Sequence, residues 1–185
     1  MQSVGAPFGK SLFVLGGARS GKSRHAQAVA EAAADQAGAR LVYVATAQAF
    51  DGEMEDRIIR HRADRDARWQ TVEAPIALAA TLATEDSGDV VMLVDCLTLW
   101  VSNLLLADEA IAARTDDLAK TIAGLKGRVI LVSNEVGQGI VPDNALARRF
   151  RDAAGLLHQR IAAQVDSVDM VMAGLAQRWK GARPE

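Results

Sequence analysis

The sequence predicts an α/β fold built on a mainly parallel central sheet. Three observations lead there. Short, continuously apolar runs alternate with longer helix-compatible segments, as strands buried on both faces alternate with crossover helices. The first apolar run, residues 12–15, feeds directly into a glycine-rich turn and then a helix. No internal repeat or low-complexity linker breaks the pattern over 185 residues, so one domain spanning residues 1–185 is expected.

The glycine-rich turn reads Gly16-Gly17-Ala18-Arg19-Ser20-Gly21-Lys22-Ser23. Strand, glycine loop, Lys-Ser and helix in that order make a phosphate-binding P-loop, and the expected architecture is a P-loop NTPase-type three-layer fold. Glycines let successive backbone N–H groups point at one anion, and the helix that follows adds its positive N-terminal end. Lys22 then reaches the terminal phosphates, and the Ser23 hydroxyl ligates Mg²⁺. All eight residues are candidate nucleotide contacts, with Lys22 also catalytic.

The remaining elements follow in order. The first helix is expected over about residues 22–35, and Gly38 breaks it. Residues 41–45 are a second buried strand, followed by a polar loop. Residues 53–68 have a helical pattern with five arginines: Arg57, Arg60, Arg62, Arg65 and Arg68. Trp69 and the strand-like residues 70–73 close that unit, and Pro75 opens a helix to about Thr84. Residues 90–95 form a strand ending in Asp95. Helices are expected at 97–106 and 110–125, the second with Leu118, Ile122 and Leu125 on one face. Residues 129–133 are a further strand, leading into a glycine-containing loop, 134–142. A long helix from about 144 to 165 repeats Leu146, Phe150, Ala153, Leu157 and Ile161 at helical spacing. Residues 168–173 make the last strand. Residues 1–10 read as a loose extension and 177–185 as a mobile polar tail.

Composition narrows the function classes. The net charge of −2 gives no global basic field, so nucleic acid is not an expected partner. A single cysteine, Cys96, fits a reducing compartment, and no apolar run reaches the ~20 residues that span a bilayer. A cytoplasmic protein is expected.

Asp95, an acid at the end of an apolar strand, is the natural partner of Ser23 for Mg²⁺, or else the N-cap of the next helix. The arginine-rich segment is either a solvated, salt-bridged face or a lid over transferring phosphates, for which guanidinium groups are suited. His61 lies within it. Among cations its pKa should fall, favouring the neutral, nucleophilic imidazole, although a lone histidine is usually surface or core filler. The loop 134–142 follows a strand, where open α/β sheets place their ligand crevice, and offers Asn134, Glu135 and Gln138. It lacks the Asn-Lys-x-Asp base-recognition pattern of regulatory GTPases. A small-molecule kinase and a nucleotide-dependent binding protein are both compatible with these residues.

Taken together, the residues resemble the bifunctional adenosylcobinamide kinase/adenosylcobinamide-phosphate guanylyltransferase family. The resemblance rests on the P-loop with Arg24-His25-Ala26, on Tyr43-Val44-Ala45-Thr46-Ala47, and on Glu53-Met54 with Arg57-Ile58-Ile59-Arg60-His61-Arg62. Arg65, Trp69, Glu73, Asp95-Cys96-Leu97-Thr98 and Asn103-Leu104-Leu105 continue it. So do the run from Val132 to Pro142 and Ala147-Arg148, Phe150-Arg151-Asp152 and Gly155. The resemblance implies two reactions. ATP or GTP phosphorylates the aminopropanol hydroxyl of adenosylcobinamide, and GMP from GTP is then transferred to that phosphate through a histidine, which matches His61. Implied nucleotide contacts are the P-loop, Ala45, Thr46, Ala47, Arg62, Ala63, Asp64, Arg65, Glu73 and Asp95. Some relatives have a second histidine beside the first and Glu in place of Asp95. A homo-oligomer, commonly a trimer, is also implied.

Overall fold

The computed structural model describes residues 8–48 and 66–182. Its centre is one seven-stranded sheet with strand order β3-β2-β4-β5-β1-β6-β7. The strands are β1 (Ser11–Gly16), β2 (Arg40–Ala45), β3 (Trp69–Glu73), β4 (Val90–Asp95), β5 (Arg128–Asn134), β6 (Ser167–Met172) and β7 (Leu175–Lys180). Every neighbouring pair is parallel except β6–β7. The helices are α1 (Lys22–Ala37), α2 (Leu78–Glu85), α3 (Leu97–Leu106), α4 (Ile111–Gly124) and α5 (Ala145–Gln164).

The continuous apolar runs are explained by burial on both faces, because successive side chains point to opposite sides of a strand. Leu12, Val14, Leu41, Tyr43, Val91, Leu93, Ile130 and Val132 pack with the Ala26, Val29, Ala30 and Ala33 stripe of α1. Their strand neighbours Phe13, Leu15, Val42, Val44, Met92, Val94, Val129 and Leu131 pack with α2, α3, α4 and α5. Small alanines let α1 lie close to the sheet. On the opposite side Trp100 fills the largest space, and its indole N–H donates to the Ile76 carbonyl at 2.9 Å, so its polar atom is satisfied. The layers are therefore helix, sheet and helices.

Helix ends follow local chemistry. Gly38 closes α1 in the left-handed region, φ 62°, where glycine has no Cβ penalty. Asn144 caps α5, its side chain accepting from Ala147 N–H. Along α5, Leu157 and Ile161 are buried as the spacing requires, whereas Leu146 in the first turn is half exposed.

Three expectations need correction, and most of a fourth lies outside the described residues. The helix expected from Pro75 begins at Leu78. The Pro75 carbonyl accepts from Asn103 and the Ile76 carbonyl from Trp100 and from Leu78 N–H, so residues 75–77 form a turn bonded to α3. The helix expected at 53–68 lies outside the described residues as far as residue 65, and Asp66, Ala67 and Arg68 form a turn. The tail expected at 177–185 is a strand as far as Lys180, and of the extension at 1–10 Phe8 is buried, 2% exposed, while Lys10 N–H donates to Asp166.

β7 escapes a reading by pattern because it is an exposed edge strand, on which even Leu175 and Trp179 face solvent. A two-residue turn makes it possible: Ala173 and Gly174 both have positive φ, 52° and 79°, the conformation that matches the twist of a hairpin. Asp169 anchors it. Its buried carboxylate accepts from the Arg178 guanidinium of β7 and lies 2.9 Å from His25 Nε2 of α1. Burial alone would raise this carboxyl, but the bonds to His25 and Arg178 outweigh it and hold the pKa below the usual carboxylate range. Asp169→Ala leaves an almost fully buried guanidinium without its partner. We expect it to destabilise the protein by about 3–5 kcal/mol in urea denaturation.

Candidate functional site

The P-loop forms as its residue types require. β1 ends at Gly16, and α1 starts at Lys22. Between them Arg19 and Gly21 take positive φ, 55° and 95°, which turns the chain sharply. Gly16 has no alternative: a Cβ there would stand 2.5 Å from both Ser20 Oγ and the Val171 carbonyl. Ser20 N–H donates back to the Gly17 carbonyl, and the Ser20 carbonyl accepts from Gly174 N–H at 2.8 Å, tying the loop to the β6–β7 hairpin. The α1 N-terminus has no side-chain cap and no acid in its first turn, so its N–H groups face an incoming anion. Lys22, largely buried, places its ammonium 3.2 Å from the Gly17 carbonyl, inside the cradle. Ser20 Oγ, in the same turn, is buried and has no hydrogen-bond partner among the described residues.

A crevice of about 510 Å³ opens beside this loop. Gly17 to Ser20 form one wall, Glu135, Val136, Gln138 and Gly139 a second, and Met170 to Ala173 a third. The loop after β5 therefore sits where a parallel sheet places ligands, beyond the carboxyl ends of its strands.

The other candidates spread along the same edge. Ala45 is in register with Asp95 on one side and Glu73 on the other. β4 lies two strands from β1 and β3 four, so at the usual ~4.8 Å spacing Glu73 stands about 19 Å from the P-loop strand. The crevice does not include Ala45, Thr46, Ala47, Glu73 or Asp95. Thr46 is fully buried, and its hydroxyl donates to the Cys96 carbonyl and accepts from Cys96 N–H, which leaves the side chain no spare donor. His61, Arg62, Ala63, Asp64 and Arg65 lie outside the described residues.

Asp95 is not the N-cap of α3; Cys96 holds that position, with an extended backbone. Among the described residues no hydrogen bond engages the Asp95 carboxylate or the Ser23 hydroxyl. Both are hard-oxygen groups of the type Mg²⁺ takes, an ion that binds through few protein groups and completes its shell with phosphates and water. Cys96 is buried, which pushes its thiol pKa up, so it is an unreactive packed side chain.

Polar residues within apolar stretches hold this edge together. Asn103 of α3, buried, donates to the Thr46 and Pro75 carbonyls at 2.8 and 3.0 Å. Thr98 Oγ1 accepts from the backbone and side chain of Asn134. Pattern reading passed over Asn103; the signal was the one amide in the mainly apolar Leu97–Leu106 helix. It also gave His158 no role, yet its Nε2 lies 2.7 Å from the buried Ser133 hydroxyl and its Nδ1 3.9 Å from Glu135.

Burial holds the His158 imidazole below its ordinary pKa, against the pull of the Glu135 carboxylate. The unfolded chain therefore binds this proton more readily than the fold does. The stability that the neutral ring contributes is complete above pH ~6.5 and is lost as pH falls below it. Urea denaturation should show unfolding free energy falling over that acidic limb, with a shallower fall in His158→Gln.

The sequence has clear relatives. A family model described as cobinamide kinase / cobinamide phosphate guanyltransferase matches residues 12–179. The chain is 51% identical over 170 residues to the bifunctional adenosylcobalamin biosynthesis protein CobP of Pseudomonas aeruginosa, covering 91% of this chain and 96% of that protein. It is 40% identical over 184 residues to the bifunctional adenosylcobalamin biosynthesis protein CobU of Salmonella typhimurium, covering 91% and 99%. Among solved structures, a KaiC-like protein from Pyrococcus horikoshii superposes with TM-score 0.52 at 11% identity, covering 87% of this chain and 70% of that one. A second solved structure, an isolated ATPase domain, gives 0.51 at 15%, covering 89% and 70%. At such identities these two speak for the fold alone, and the fold is that of P-loop NTPases.

Proposed function

The chain belongs to the cobinamide kinase / cobinamide phosphate guanyltransferase family, and we propose that its single P-loop holds the nucleotide for both reactions of that name. It is a bifunctional transferase of adenosylcobalamin biosynthesis, which sets aside the single-activity kinase and the substrate-free binding protein. The observation that carries the shared site is the cradle itself: a glycine turn that admits no Cβ at Gly16, leading into an uncapped helix N-terminus with Lys22 folded over it.

In the kinase reaction the hydroxyl of the adenosylcobinamide arm attacks the γ-phosphorus of ATP or GTP, and the bond to the β-phosphate breaks. Backbone N–H groups of the loop other than that of Ser20, together with the Lys22 ammonium, face the negative oxygens and hold the chain of phosphates in line. Ser23 and Asp95 are the residues that would hold Mg²⁺. When bound, it neutralises charge on the β- and γ-oxygens. In the second reaction a neutral ring nitrogen of His61 attacks the α-phosphorus, pyrophosphate leaves, and a P–N bond carries GMP. An oxygen of adenosylcobinamide phosphate then displaces the ring, giving adenosylcobinamide-GDP. A P–N bond suits a carrier because imidazole is a good leaving group.

Arg62, Ala63, Asp64 and Arg65 beside the nucleophile, together with Ala45, Thr46, Ala47 and Glu73, complete the nucleotide contacts in this reading. For Thr46 the contact falls to its backbone, since the hydroxyl is engaged with Cys96. A homo-oligomer, a trimer by resemblance, and a cytoplasmic place of work belong to the same proposal. No helix of the described residues is long and apolar enough to cross a membrane.

Incubation with α-labelled GTP should leave acid-labile, alkali-stable label on the protein. His61→Ala should abolish the label while preserving phosphorylation of adenosylcobinamide by ATP. Lys22→Ala should reduce both reactions by ~100-fold or more. Undiminished label in His61→Ala, or none on a wild-type protein that completes the second reaction, would overturn the carrier.

A further inference from the structure

Resting on this reading of the two reactions, we propose that Glu135 is the catalytic carboxylate of the kinase half, accepting the proton of the corrinoid hydroxyl as its oxygen attacks the γ-phosphorus. Of the described residues that line the crevice beside the P-loop, Glu135 is the only carboxylate. Its place is fixed at the backbone: its N–H donates to the Gly16 carbonyl at 3.0 Å, next to the first glycine of the cradle. A negative group there opposes the approach of a polyphosphate, so a crevice made only for phosphates would do better without it. An attacking hydroxyl, by contrast, needs an acceptor for its proton on the side from which it arrives.

The carboxylate is also held. Oε1 accepts from Gly137 N–H at 2.6 Å, and Oε2 lies 3.9 Å from Nδ1 of His158. Behind the ring, Nε2 lies 2.7 Å from the Ser133 hydroxyl, which has no exposure to solvent. A Ser133 hydroxyl donating to Nε2 would leave the ring proton on Nδ1, on the side of Glu135. In this proposal His158 is a positioning residue: one Glu135 oxygen carries the Gly137 bond, and the other faces the ring at 3.9 Å, an electrostatic contact rather than a hydrogen bond. Among the described residues the other acids offer no rival at this crevice. Asp169 is committed to His25 and Arg178, Asp166 to Lys10 and Ser11, and Glu73 lies four strands away.

The bond changes balance without another reactant. The O–P bond to the corrinoid oxygen forms, the β–γ bridging bond breaks with its electrons leaving on the nucleoside diphosphate, and the hydroxyl proton moves to Glu135 and then to water. The second reaction has no such proton to remove, because its acceptor is already a phosphate anion. This difference separates a proton acceptor from a structural carboxylate.

The test uses wild-type enzyme, Glu135→Gln and Glu135→Asp in both half-reactions. One arm follows γ-phosphate from labelled ATP to adenosylcobinamide. The other follows α-label from GTP onto the protein and on to supplied adenosylcobinamide phosphate. Glu135→Gln should lower kcat of the first arm ~100-fold or more, with partial recovery in Glu135→Asp, and leave the second within about threefold. His158→Ala should lower the first arm less, and His158→Asn should restore part of it. An unchanged kinase rate in Glu135→Gln, or an equal fall in both arms, would overturn the proposal; a carboxylate serving the metal or the loop's fold would give the equal fall. Failure of the His61 carrier shows separately, as absent protein label in the wild type while the kinase comparison still reads Glu135.

Discussion

The site depends on how closely β1 is held between β5 and β6 at Gly16. Its Cα faces the Ser20 hydroxyl and the Val171 carbonyl with no room for another carbon, and its carbonyl accepts from Glu135 N–H. The parallel register sets Gly16 against Asn134 on one side and Val171 on the other. Because the turn starts from this fixed point, Arg19 and Gly21 are forced to positive φ, and α1 begins with its N–H groups over the crevice. Gly174, donating to the Ser20 carbonyl, closes the loop from the hairpin side.

The rest of the edge is held by buried polar groups that are fully engaged. Thr46 brackets the Cys96 peptide, Asn103 gathers the turns after β2 and β3, and Thr98 joins the start of α3 to Asn134. In a low-dielectric interior each bond is costly to lose, so the carboxyl ends of β2, β4 and β5 keep a fixed relation. Two carboxylates then differ in position. Asp95, with no hydrogen bond among the described residues, lies two strands from the loop strand, where the proposed reading puts Mg²⁺. Glu135 stands in the crevice, where that reading puts the proton acceptor.

Much of this was legible in the residues. Continuous apolar runs read as doubly buried strands, and the strand–glycine–Lys-Ser–helix order located the cradle to the residue. The resemblance, carried by Asp95-Cys96-Leu97-Thr98 and the run from Val132 to Pro142, gave the family that the matching model spans at residues 12–179. What escaped had physical causes. β7 hides because an edge strand needs no apolar period, and its anchor is a single ion pair remote from the P-loop in sequence, Asp169 to Arg178. Pro75 looked like a helix start because proline suits the first turn, but Asn103 and Trp100 claim the carbonyls there. The resemblance implied a nucleotide contact at Thr46, and only the folded structure shows that its hydroxyl faces Cys96. Sequence spacing could not reveal that Glu135, His158 and Ser133 line up through the core.

The central claim is that the cradle's shape, set at Gly16, is what binds nucleotide. Equilibrium titration of Gly16→Ala with a fluorescent GTP analogue and Mg²⁺ tests it most directly, with Gly155→Ala on α5 as a control that meets no neighbour. The account predicts at least tenfold weaker binding in Gly16→Ala, with the far-ultraviolet circular dichroism of a folded α/β protein, and unchanged binding in Gly155→Ala. Wild-type affinity in a folded Gly16→Ala protein would contradict it.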